Sequence, residues 1–307
     1  GSKQADGPGS PDRLSGAYVD IRRVLENSSG AGGRAADGPS QGTAEAARAL
    51  VHRFSLRPGC ASAGRTTAVG SDWPMMWHLY HFPLCPFSRK LRLLMSEKAI
   101  PFELERENPW DQREEFFVLN PRGCTPVLHD PDRNVTLSDS RAIAEYLEET
   151  NDKNPMINGT ASNRAEIRRL VAQFDEMLYE QVTAPLLNER MRKRLVLRQS
   201  PDSRVLREAM KLAHDNLYYI DWLVDTRPWL GGARMSLADI AAAAQISVAD
   251  YLGGIDWNGH DQAASWYATF KSRPSFAPLL SERMDTIYPP AHYADRDFWP
   301  PQEAGAR

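Results

Sequence analysis

The chain is poor in cysteine, in long apolar runs and in net charge. It carries three cysteines in 307 residues, Cys60, Cys85 and Cys124. Three cannot all pair, and their spacing is not that of a zinc site. A reducing cytosol is therefore the simplest compartment. No apolar run approaches the roughly 20 residues that span a bilayer, so no transmembrane segment is expected. The formal net charge of -3 argues against a general nucleic-acid binder, whose binding face is usually basic. Methionine is absent before Met75. Residues 1–74 hold 12 of the 20 glycines and few large apolar residues, too little material for a core. They also lack the apolar stretch of a secretory signal. They read as a disordered extension or as a leader translated upstream of a true start at Met75 or Met76, the second being preferred. Fold reasoning begins at residue 75.

Beyond that point two patterns follow one another. Trp77–Phe82 alternates apolar and polar, the period of a strand. The next segment places Phe87, Leu91, Leu94 and Met95 on one helical face. Phe102–Glu105 reads as a short strand and Asp111–Leu119 as a short helix. Val127–His129 and Val135–Leu137 are two strand pieces around a turn. A helix runs from about Ser140 to Glu149. Residues 75–150 thus have the order βαβαββα. Residues 151–160, with Pro155 and Gly159, form a linker. From 161 to 287 the pattern is wholly helical. Ile167, Leu170, Val171, Phe174 and Leu178 make one stripe, and Leu206, Met210, Ala213, Leu217, Ile220 and Val224 another. Leu237–Leu252 is apolar on most sides, as a central buried helix should be, and Ser236 with Asp239 makes a capping box at its start. Ala263–Ser272 is a further helix, ended by Arg273-Pro274. Residues 288–307 are a Pro- and aromatic-rich tail.

Four motifs lie in this frame. Leu84-Cys85-Pro86-Phe87-Ser88-Arg89-Lys90 stands at a strand-to-helix turn. Asn120-Pro121-Arg122-Gly123-Cys124-Thr125-Pro126-Val127-Leu128 is a loop leading into a strand. Leu137-Ser138-Asp139-Ser140-Arg141-Ala142-Ile143 opens a helix and continues to Tyr146-Leu147. Leu230-Gly231-Gly232 precedes Ser236-Leu237-Ala238-Asp239. Spread in order over about 210 residues, they resemble the glutathione S-transferase superfamily. The resemblance implies an α/β thioredoxin-like domain followed by an all-α bundle, and a homodimer. It implies a cis peptide before Pro126, and a glutathione site formed by Thr125, Pro126, Val127, Asp139 and Ser140.

Each of these residues also has a plainer reading. Cys85 lies at a helix N-terminus, which favours negative charge on its sulfur. It is either a nucleophile or activator toward glutathione, or a small residue that fits the turn. Ser88 stands where a dithiol protein has its resolving cysteine, and is a second catalytic candidate or an ordinary first-turn residue. The cis proline would turn the Val127 backbone outward to meet a peptide, or would only shape the turn. Asp139 replaces the glutamate of the family pattern and is one methylene shorter. With Ser140 it either holds the γ-glutamyl group or caps its own helix. His78, His81 and His129 lack a carboxylate or cysteine at ligand spacing, so no metal is expected. Glutathione is a possible ligand, and no cofactor is required. The basic run Arg190, Arg192, Lys193, Arg194 and Arg198 is a solvated face or a dock for an acidic segment.

Two features are not explained by glutathione chemistry. Trp110 follows Asn108-Pro109 in a polar loop, either tucked against its domain or acting as an interaction anchor. The tail reads Tyr288-Pro289-Pro290-Ala291-His292-Tyr293-Ala294-Asp295-Arg296-Asp297-Phe298. It suits a docking segment or a strand of chain packed along its own helical domain. It is similar to the tail of the glutathione-transferase-like division proteins of α-proteobacteria, which bind FtsZ filaments. That resemblance implies FtsZ as partner, a cytoplasmic division-site location, and Trp110, Asp295, Asp297 and Phe298 as partner-binding residues. The competing expectation is a glutathione S-transferase or thiol-disulfide oxidoreductase using Cys85.

Overall fold

The computed structural model describes residues 76–131, 133–296, 298 and 299. The expectation for residues 1–74 lies outside them. The first element is β1 (Trp77–His81), whose burial alternates as its sequence does. There follow α1 (Pro86–Glu97), β2 (Phe102–Arg106), α2 (Glu114–Leu119), β3 (Val127–Asp130), β4 (Val135–Ser138) and α3 (Ser140–Thr150). The strands form one sheet in the order β2-β1-β3-β4. β1 runs parallel to β2 and antiparallel to β3, and β3 and β4 pair antiparallel. This is the expected βαβαββα domain. The short helix α2 starts three residues later than the sequence pattern suggests. Asn108 and Asp111 close a side-chain turn ahead of it, Gln112 adopts φ +47, and Arg113 is extended.

The second half opens with α4 (Ala161–Ala172), capped reciprocally by Thr160 and Asn163. The helix continues without a break through a π-helical segment (Gln173–Thr183), the short α5 (Ala184–Leu186) and a second π-helical segment (Leu187–Leu197). Pro185 sits between the two widened segments. A proline within a helix removes an N–H and crowds the preceding turn, so altered hydrogen bonding there has a local cause. Then come α6 (Ser203–Asp225), α7 (Leu237–Tyr251), α8 (Asp261–Lys271) and α9 (Ala277–Ser281).

Helix α7 is buried along its whole length and packs against α1, α4 and the first π-helical segment. Its start is held by Asp239, which accepts from the Leu230 and Ser236 amides, the Ser236 hydroxyl and the Trp266 indole at 2.6 to 3.2 Å. Burial pushes this carboxyl up, and those donors pull it back. The two halves are also joined by charge. Lys90 of α1 pairs with Asp175, both buried. Arg273 clasps Glu97 through two bonds of 2.7 Å. Arg89, fully buried, donates to the Pro83 carbonyl at 2.8 Å and to Ser247 at 2.9 Å. Its stem and head thus cross from α1 to α7.

Candidate functional site

The candidate site lies where β1 hands over to α1. The Cys85 amide bonds back to the Phe82 carbonyl at 2.9 Å, closing the turn. Cys85 then takes the N-cap position of α1, with Pro86 at the first helical residue, where a missing N–H leaves nothing unsatisfied. The Cys85 thiol makes no capping bond. It is half-buried and faces the Thr125 carbonyl at 3.6 Å. The bond from Thr125 to Pro126 is cis, as the loop motif implies. A helix N-terminus, a thiol and the residue before a cis proline are thereby brought together.

Other members of the expected set sit differently. Val127 does not turn its backbone outward. It opens β3, a central strand, and is paired with Tyr80 on one side and Ser138 on the other. Ser88 is fully buried, and its hydroxyl has no partner among the described residues, so it offers a ligand no surface. Asp139 adopts φ +73 and caps its own helix, with Oδ1 accepting from the Arg141 and Ala142 amides at 2.9 and 3.4 Å. Its other oxygen lies 3.8 Å from the Arg122 guanidinium. Ser140 follows at the first helical position, mostly buried.

Two neighbours were not singled out from sequence. Cys124, beside Thr125, receives the Asn120 side-chain amide on its sulfur at 3.6 Å, and burial pushes its thiol up. Tyr179 reaches the site from the helical half, packing on Phe87 with ring centroids 4.8 Å apart. Burial, then the Cys85 and Cys124 thiols, push its phenol up to about 12, so it remains a donor at neutral pH. Cys124 stands inside the loop motif and was legible there. Tyr179 lies 94 residues from Cys85 in the chain, and only the packing of the halves brings them together.

The residues expected to meet a partner divide. Trp110 is half-buried, edge-on to Phe82 at 5.3 Å, so it is tucked against its domain with part of the ring accessible. Asp295 is exposed. Asp297 lies outside the described residues. Phe298 departs from its partner-binding expectation and follows the other reading of the tail, packing along its own helical domain. It is 8 % exposed and packs on Trp257 and Tyr267 at 5.2 and 6.0 Å, with the Lys271 ammonium 4.0 Å from its ring centre. The tail reaches it through a 3-10 turn (Ala291–Ala294). Within that turn Tyr293 is fully buried and takes Arg89 at 3.1 Å. His292 bonds Asp250 at 2.8 Å. Tyr293 and Phe298 of the tail therefore join the core, while Tyr288 at its start is 77 % exposed. The basic run is partly spent inside the fold as well: Arg190 donates to the Leu252 carbonyl and Lys193 pairs with Glu189 at 2.7 Å. Among the described residues no helix is long and apolar enough to cross a membrane.

Comparison with known proteins gives three consistent results. Residues 84–150 match the family model of the glutathione S-transferase N-terminal domain. The chain is 44% identical over 222 residues to FtsZ-localized protein A of Caulobacter vibrioides, covering 72% of this chain and 97% of that one. Among solved structures, a glutathione S-transferase from Rhodospirillum rubrum F11 is similar at 46% identity and TM-score 0.71. FzlA from C. crescentus is similar at 43% identity and TM-score 0.71. Each covers 73% of this chain and 100% of its own.

Proposed function

The chain belongs to the glutathione S-transferase superfamily, and on that premise we propose that it is a cell-division factor that binds FtsZ filaments and promotes constriction without glutathione-dependent catalysis. The observation that carries this reading is the 44% identity to FtsZ-localized protein A, which extends over 97% of that protein. The likeness is thus not confined to the half that the transferase model matches. The glutathione position supports the same reading from the other side. The Asp139 carboxylate is committed to its own helix and to Arg122, and the Val127 backbone is committed to the sheet.

The working form in this proposal is a cytoplasmic homodimer at the division site. Tyr218 and Trp222 of α6 are 56 and 67 % exposed, apolar surface that self-association would cover. Trp110 and Asp295 are the partner-facing candidates. The test is co-sedimentation with polymerised FtsZ. The intact chain pellets with the filaments, and Trp110→Ala pellets about tenfold less well, the loss expected for an aromatic anchor, while melting as a folded protein. Failure of the intact chain to pellet sinks the proposal.

One observation favours a second reading, a glutathione S-transferase or thiol-disulfide oxidoreductase. The Cys85 thiol stands at a helix N-terminus, 3.6 Å from the carbonyl before the cis proline. On this reading the protein gives heat on titration with glutathione, and its disulfide-reducing turnover vanishes in Cys85→Ala. Absence of both removes it.

A further inference from the structure

The sheet carries a second chemical feature, on its edge. β2 is the outer strand, and its parallel register with β1 sets Glu103 directly beside His78. Side chains two apart on a strand share a face, so Glu105 joins them. The His78 Nδ1 lies 3.5 Å from a Glu105 carboxylate oxygen and 4.0 Å from one of Glu103. All three donor atoms lie within 4.8 Å of one another. These separations are ion-pair distances, longer than a good hydrogen bond. A single imidazole N–H can serve one carboxylate, not two, yet both carboxylates converge on the same nitrogen.

We propose that His78, Glu103 and Glu105 form a surface binding site for one zinc-class divalent cation. A zinc ion about 2.1 Å from nitrogen and oxygen donors holds them about 3 to 4 Å apart, close to the separations already present. Its double charge matches two carboxylates that otherwise repel along the edge strand. One imidazole with two carboxylates is a donor set of borderline hardness, suited to zinc more than to calcium or magnesium. Three protein ligands leave the fourth position to water, and the outer strand leaves an open path for the ion. Across the sheet His129 stands opposite His78, its Nδ1 held by Thr136 at 2.9 Å, so this neighbouring imidazole is already oriented on the same row. The chain pairing makes the site. In sequence, His78 and Glu103 are 25 residues apart.

The experiment is calorimetric titration of the full chain with zinc chloride, followed by cobalt(II) substitution. The expected result is one ion per chain with micromolar affinity, weakened about tenfold or more in His78→Ala and in the near-isosteric Glu105→Gln. Both variants should keep the metal-free melting temperature, since each side chain is partly exposed. The cobalt complex should show a visible spectrum without a thiolate charge-transfer band. No binding at submillimolar zinc overturns the proposal. So does binding that both variants leave unchanged, or a thiolate band that disappears in Cys85→Ala or Cys124→Ala.

Discussion

At the scale of single residues, the oddest group is His81. It is buried in β1 with its Nδ1 unpartnered among the described residues. Burial first, then Arg92, Arg106 and Arg89, push its pKa down from 6.5 to about 3. The unfolded chain therefore takes up a proton that the folded one refuses. The corresponding stability is fully present above pH 6.5 and is lost as pH falls from 6.5 toward 3, at up to about 1.4 kcal/mol per pH unit. Urea unfolding at pH 5 and pH 7 should show this loss, and His81→Leu should flatten it by about one proton's worth; parallel slopes in the two proteins would refute the assignment. Asp139 is a different lesson. Its carboxylate caps α3 through two backbone amides, so Asp139→Ala should cost about 1 kcal/mol, read as a shift in the urea midpoint, and Asp139→Asn less. Sequence could not choose between cap and ligand here, because an acidic residue at a helix N-terminus satisfies both demands with the same chemistry.

At the scale of elements, periodicity carried the sequence reading well wherever burial is one-sided. The β1 alternation and the stripe from Ile167 to Leu178 all fall where the pattern puts them, and the six stripe positions from Leu206 to Val224 all lie on the half-buried or buried side of α6. What periodicity cannot carry is the widened helix around Pro185, which depends on backbone hydrogen bonding, and the tail, which has no period at all. The tail's aromatic residues looked like docking groups because nothing local buries them. The pocket of Phe298 is made by Trp257, Tyr267 and Lys271 of the helical half. Phe298→Ala should therefore behave as a core deletion, destabilising by about 3 kcal/mol in urea unfolding, whereas a surface docking residue would leave the midpoint unchanged. Asp239→Ala should be at least as costly, about 3 kcal/mol or more, because it strands buried donors on Leu230, Ser236 and Trp266 at once; a midpoint shift under 1 kcal/mol would show that those donors find other partners.

At the scale of the whole molecule, the thioredoxin-like half and the helical half act as one scaffold. Arg89 joins Pro83, Ser247 and Tyr293, so the cysteine turn, α7 and the tail share a single buried guanidinium. Removing one partner of such a network costs more than the network adds, which ties the geometry of the Cys85 turn to the docked tail. The fold and the position of Cys85 were legible in the four motifs, since each is a local backbone requirement. The approach of Tyr179 and the burial of Phe298 were not, since both depend on how the halves pack. On the proposed function, a transferase scaffold is put to use as a filament partner. Co-sedimentation of FtsZ filaments with a Cys85→Ala, Asp139→Asn double variant, in the absence of glutathione, tests it most directly. The expected result is that the variant pellets as the unmodified chain does. Loss of pelleting in the folded variant, or pelleting of the unmodified chain only when glutathione is added, would contradict it.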